Sequence, residues 1–161
     1  YYEDAYLLFS VPEFTRSLAN NMRSASKVYA VDPAMFGAFS PASALDQGQR
    51  LETAVFNALR RRTPAVRVGS VCRLLIKEKS KNHEVDFVAG DALLMRAYSL
   101  IQVSVDMASE KTREREIAAL DASMAQFDLG ESAIVTMDEQ ADIPCEHGVV
   151  HVVPAWKWLL A

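Results

Sequence analysis

The chain has 161 residues, half of them hydrophobic, and a net charge of −4. That length and apolar content suffice for one domain with a real core, and the mild acidity excludes a protein that coats nucleic acid by bulk charge. Two widely spaced cysteines, Cys72 and Cys145, no signal peptide and no apolar run of membrane-spanning length lead to the expectation of a reduced, cytoplasmic protein with no membrane partner.

In chain order, Tyr1 to Ala5 reads as a helix end, and the start at Tyr1 without Met reads as a piece of a longer protein. Tyr6 to Phe14 is aromatic and aliphatic and reads as extended. Ser17 to Ser26 is polar and reads as a loop, and Lys27 to Val31 is a short strand closed by Asp32-Pro33. These two strands pair as a hairpin, and Pro33 to Ser40 forms a helical turn. From Ala44 to Arg62 the apolar residues Leu51, Ala54, Val55, Ala58 and Leu59 recur at helical spacing. Glu52 falls at the border of that apolar arc, and Pro64 stops the helix.

Ala65 to Ile76 is extended, and Lys77 to Asn82 is a polar turn. Strands follow at Glu84 to Ala89 and at Tyr98 to Asp106, with Gly90-Asp91 turning the chain and 93–97 weakly defined. Ser109 or Thr112 caps a helix that runs to Phe127, its apolar face Ile117, Leu120, Met124 and Phe127. Ala133 to Thr136 is a buried strand and Ile143 to Val153 a hairpin around His147-Gly148. A short helix from Pro154 to Leu160 carries Trp156 and Trp158. After the first hairpin the order is helix, three strands, helix, strand, which predicts an α/β sandwich with a mixed sheet.

Chemistry concentrates in the two central strands. Strand alternation puts Glu84, Asp86 and Val88 on one face and Val85 and Phe87 on the other; Gln102, Ser104 and Asp106 share a face of the later strand. If these strands are neighbours, Asp86 and Gln102 approach each other. Oxygen ligands of this kind suit a hard cation such as Mg²⁺, and phosphodiester hydrolysis also wants a positive group beside it. The plain alternative is that Asp86 is a solvated strand residue.

Residues 60–81 carry eight basic residues against one acid, a local +7. Arg60, Arg61, Arg62, Lys77, Lys79 and Lys81 are thus candidates for phosphate contact, although arginines in a last helical turn also serve the helix dipole. Cys145, His147 and His151 fall short of a zinc set and read as hairpin residues. No G-x-x-x-x-G-K-[ST] run occurs, so this sequence carries no ATP-binding P-loop.

The stretches KVYAVD (27–32), LETAVF with LRR (51–56 and 59–61), EVDFV (84–88), LIQV (100–103), TREREI (112–117), IVT (134–136) and PAWKWLL (154–160) together, in this order and spacing, resemble a known family. They are similar to the C-terminal domain of unknown function of prokaryotic AAA-type ATPases. The resemblance covers nearly the whole chain and implies a fold similar to the PD-(D/E)XK nucleases: a restriction-endonuclease-like α/β sandwich with a mixed central sheet flanked by helices, over residues 41–161. Residues 1–40 would be the tail of a winged-helix-like segment or a hairpin extension.

On that pattern Glu52 matches the helix acid and Asp86 the strand acid. Both would be Mg²⁺ ligands. Gln102 stands where the second acid belongs, and Ser104 where the lysine belongs. The resemblance therefore implies a catalytically degenerate module that binds nucleic acid or protein, or regulates its parent ATPase. The alternatives are an active Mg²⁺-dependent DNA nuclease using Glu52 and Asp86, its lysine migrated to Lys77, Lys79 or Lys81, and a purely structural docking or oligomerisation domain. Convergence of Glu52, Asp86 and Gln102 with a lysine nearby would favour the nuclease.

Overall fold

Two short strands open the chain: β1 (Leu8–Val11) and β2 (Lys27–Ala30) pair antiparallel, Val11 opposite Lys27. Helix α1 (Asp46–Arg62) follows, then strands β3 (Val71–Lys77), β4 (Asn82–Asp91) and β5 (Arg96–Val103). The chain continues through helix α2 (Glu110–Phe127), β6 (Glu131–Thr136), the hairpin β7 (Ala141–Pro144) and β8 (Val149–Pro154), and helix α3 (Ala155–Leu160). The computed structural model describes residues 1–17, 26–35, 46–63, 70–77 and 82–161. The expected loop 18–25, most of the turn 33–40, the first part of the extended stretch at 64–69, and Lys79 and Lys81 lie outside the described residues, as does the Lys77 side chain.

The fold is mixed α/β. Strands β3 to β8 form one six-stranded sheet in the order β3-β4-β5-β6-β8-β7. β3, β4 and β5 meander antiparallel, β5, β6 and β8 run parallel, and β7 returns antiparallel on the edge. Two parallel neighbours need a crossover, and α2 supplies it between β5 and β6. Ser109 caps α2, its side chain accepting from the Thr112 N–H, as its sequence position predicts.

Each sheet face has its own core. On one side Ala119, Leu120 and Met124 of α2 pack against Val85, Val88, Leu100, Ile134, Val150 and Val152. On the other, Leu51, Val55, Phe56 and Leu59 of α1 pack against Phe87, Ile101 and Val135, joined by Val11 and Tyr29 of the hairpin. The hairpin therefore shares a core with α1. Asn57 fixes it there, donating to the Ala30 carbonyl at 3.1 Å. Phe14 and Arg73 add backbone bonds to the β3 edge: Phe14 N–H to the Arg73 carbonyl at 2.7 Å, and Arg73 N–H to the Pro12 carbonyl at 2.9 Å.

Several expectations change. Tyr1 to Ala5 forms turns rather than a helix end. Strand β5 stops at Val103, short of Asp106. The buried stripe of α2 is Glu116, Ala119, Leu120, Ser123 and Met124, with Ile117 and Phe127 at its margin. The face alternation in β4 is also broken. Cys72 pairs with Val88 and Leu74 with Val85, so β4 spends one residue more than β3 over this stretch. That bulge puts Val85 and Val88 into the same core and sends Phe87 to the α1 side with Asp86. Bulges re-aim side chains in this way beside functional clefts.

Candidate functional site

Where β4 and β5 run under α1, Glu52, Asp86 and Gln102 come together. They line one cleft of about 390 Å³ with His83, Glu84, Val103, Arg115, Glu116 and Ala119. Each residue arrives by local logic. Glu52 sits beside the buried Leu51, Val55 and Phe56, so the α1 apolar arc carries it over the sheet. The bulge in β4 turns Asp86 toward α1, and the pleat of β5 sends Gln102 toward α2.

A lysine of the hairpin meets these acids from the side: Lys27 lines a neighbouring cavity with Tyr29 and Glu52 rather than this cleft. Lys27 Nζ lies 2.8 Å from Asp86 Oδ1, 2.9 Å from Glu52 Oε1 and 3.1 Å from Glu84 Oε1. It donates hydrogen bonds to Glu52 and Asp86, whereas Glu84 Oε1 is an ion-pair neighbour that receives no hydrogen bond. Tyr29, two residues along β2 on the same face, donates its hydroxyl to Glu52 Oε1 at 2.6 Å. The Tyr29 ring is stacked on Phe56 with centroids 4.7 Å apart, which holds the phenol in place. Asp86 Oδ2 accepts from the Val103 N–H at 3.0 Å.

The electrostatics follow from this crowding. Burial, then the negative charge of Glu52, push the Asp86 carboxyl up to about 6, against the opposing pull of Lys27 and the Val103 N–H. Burial opposes the Lys27 charge, but Asp86 and Glu52 outweigh it and hold the ammonium above the ordinary lysine value. Burial and Glu52 together raise the Tyr29 phenol, keeping it a donor. Glu52, Glu84, Asp86 and Glu116 thus share a cleft in which the resident cations leave Asp86 incompletely compensated.

Glu52, Glu84 and Asp86 all turn a carboxylate oxygen toward one positive group, the Lys27 ammonium. Carboxylate oxygen is the donor a hard divalent cation takes, but these three are not among the described residues whose ligand atoms gather within 4.8 Å of one another. Gln102 is placed differently from an acid at that position. Its Oε1 accepts from the Asp86 backbone N–H at 3.1 Å and its Nε2 donates to Glu116 Oε2 at 2.5 Å.

Ser104 and Asp106 do not line the cleft. Ser104 Oγ donates to the Asp106 carbonyl at 2.7 Å, and Asp106 Oδ1 takes the Ala108 N–H at 3.0 Å, so both build the turn after β5. Arg60 and Arg62 are held by their own chain. The Arg60 guanidinium lies 3.9 Å from the Phe9 ring centroid, and Arg62 lies 4.4 Å from that of Trp158 while donating to its carbonyl. At the helical rise they sit about 12–15 Å along α1 from Glu52; Arg61 is exposed.

His147 and His151 part company as well. The His147 ring meets Asp121 at 3.0 Å and the His151 ring meets Asp142 at 2.6 Å. Asp121, Glu146 and His147 bring ligand atoms within 4.8 Å of one another at the β7–β8 turn.

Sequence reasoning missed Lys27, Tyr29, Arg115 and Glu116. Only Glu116 left a readable signal: it lies four residues before Leu120 and eight before Met124, inside the apolar stripe. Among the described residues no helix is long and apolar enough to cross a membrane. Compared with known proteins, the chain matches no family model, no curated sequence and no solved structure.

Proposed function

We propose that this chain is a restriction-endonuclease-like module of an AAA-type ATPase, and that it hydrolyses phosphodiester bonds, with DNA as substrate, in the cleft between α1, α2 and the sheet. One observation carries this reading: Lys27 Nζ lies within 2.9 Å of both Glu52 and Asp86. On this reading Lys27, from β2, supplies the positive group that strand β5 lacks at Ser104.

Glu52 and Asp86 would hold Mg²⁺, which when bound supplies Lewis-acid charge at the phosphate and acidifies water. The chain's own groups do the rest. Lys27 offsets the negative charge that builds on the phosphate oxygens. Tyr29 fixes Glu52, and the Val103 N–H fixes Asp86, so that neither carboxylate reorganises during the reaction. Arg115, with its side chain 69% exposed at the lip of the cleft, offers a guanidinium to the incoming phosphate. Asp86 must be ionised to act, and its value of about 6 leaves it so at neutral pH.

A second reading rests on Gln102. Its amide is spent on the Asp86 N–H and Glu116, and the Lys27 ammonium alone already neutralises part of the acid cluster. A non-cleaving module that binds nucleic acid or protein for its ATPase is the function such a closed network supports. Supercoiled plasmid with Mg²⁺ or Mn²⁺ separates the two. The hydrolytic reading expects nicking by the wild type that Asp86→Ala abolishes. An inert wild type that still binds DNA supports the second reading.

A further inference from the structure

The backbone pairing of β4 with β5 ends at Phe87–Ile101, and the next pair in register would be Asp86 with Gln102. There the two strands are joined by side chains instead. The Asp86 N–H donates to Gln102 Oε1 at 3.1 Å, and the Val103 N–H donates to Asp86 Oδ2 at 3.0 Å. Each strand thus closes on a side chain of the other, and the cleft opens at this fork. Asp86 and Gln102 are both buried, so an N–H released here would lose its partner away from bulk water.

A bulge frees a residue from the ladder that would otherwise set its direction. Between the pairs Cys72–Val88 and Leu74–Val85, Asp86 and Phe87 share one opposing residue, Arg73. The direction of the Asp86 peptide is therefore left to its own contacts, and its N–H is held by Gln102. The Gln102 amide is in turn held from behind. Its Nε2 donates to Glu116 Oε2 at 2.5 Å, which leaves Oε1 facing the Asp86 N–H and permits only one orientation of the amide. An N–H and the side chain of the same residue swing together about the chain, so pinning the one aims the other. We propose that Gln102 is the positioning residue of Asp86, its amide keeping the Asp86 carboxylate at once on the Val103 N–H and on Lys27. This deepens the hydrolytic reading above and rests on it only where activity is measured.

Amide hydrogen exchange read by NMR tests it without recourse to activity. Gln102→Met keeps the length of the side chain and removes both of its bonds. A side chain that only satisfies one backbone N–H would release Asp86 alone, because the acceptor of the Val103 N–H is the Asp86 carboxylate. A positioning residue releases Val103 as well. The expected result is exchange at Val103 faster by roughly tenfold or more, while the Ser104 N–H, bonded to the Val135 carbonyl, keeps its wild-type protection. Gln102→Glu combined with Glu116→Gln keeps an acceptor for Asp86 and reverses the outer hydrogen bond, and should restore Val103. In plasmid nicking, Gln102→Met should lower kcat by about tenfold or more with KM unchanged. A Val103 amide as protected in Gln102→Met as in the wild type, or one released together with Ser104, would overturn the proposal while leaving the hydrolytic reading standing. A wild type that nicks nothing, in a chain whose Val103 amide follows Gln102, would support the proposal and overturn the hydrolytic reading alone. Should Gln102→Met not fold, Gln102→Asn, too short to span Asp86 and Glu116, decides by the same amide.

Discussion

The Lys27 ammonium and the Asp86 carboxylate meet at 2.8 Å although 59 positions separate them in the sequence. The contact joins the N-terminal hairpin to the centre of the sheet and makes the hairpin part of the site. Removing the ammonium leaves three carboxylates facing one another. Lys27→Met is expected to lower stability by about 2 kcal/mol, less than for a fully buried pair because the partners are partly exposed. For a chain of this length that is a fall of about 4–8 °C in Tm. Added Mg²⁺ should recover more of that loss in the variant than it adds to the wild type. Thermal melts with and without Mg²⁺ check this, and a variant insensitive to the ion would count against a cation site at these oxygens.

Much of the fold was legible in the chain. The α1 arc, the Ser109 cap of α2, the hairpin strands and the turn at His147-Gly148 follow from local periodicity and turn chemistry. The approach of Asp86 and Gln102 was legible only on the condition that their strands are neighbours, which the β4–β5 pairing meets. Lys27 and Tyr29 were not legible, since where a hairpin docks is decided by long-range packing: Tyr29 on Phe56, Asn57 on Ala30. Nor was the bulge at Asp86-Phe87, which no turn residue announces and which moved Phe87 and Val88 to faces that simple alternation excludes.

Proton and metal compete for Asp86. Its folded value of about 6 lies above the ordinary 3.8. The stability contributed by its protonated form is therefore complete below about pH 4 and lost as the pH rises through about 6. Cation binding requires the ionised form and runs the other way. Mn²⁺ affinity should fall about tenfold between about pH 7 and about pH 5. Titrations at three pH values read this directly, and a flat profile would show that Asp86 is not a ligand.

Tyr29→Phe keeps the stack on Phe56 and deletes only the hydroxyl bond to Glu52. The expected loss is about 1–2 kcal/mol, as for a hydrogen bond to a charged acceptor. Because burial and Glu52 raise the phenol, the wild-type minus variant ultraviolet difference should show Tyr29 ionising only as the chain unfolds at high pH. Ionisation of the folded chain at the ordinary tyrosine value would refute the contact.

The two thiols should separate cleanly. Cys72 is wholly buried, and burial pushes it up to about 12. Cys145 is partly exposed at the β7–β8 turn. A thiol-specific reagent should therefore modify Cys145 in the native chain and reach Cys72 only after denaturation, a result that mass spectrometry of the labelled peptides reads. Native labelling of Cys72 would contradict the core described for β3.

The most direct measurement is metal-dependent nicking of supercoiled DNA by the wild type beside Lys27→Met, with both shown to be folded under the assay conditions. If Lys27 supplies the positive group that strand β5 lacks, the wild type nicks the plasmid with Mn²⁺ or Mg²⁺, and the variant loses at least about a hundredfold in rate. Equal nicking by the two chains, or none by a wild type that binds the cation, would contradict the assignment.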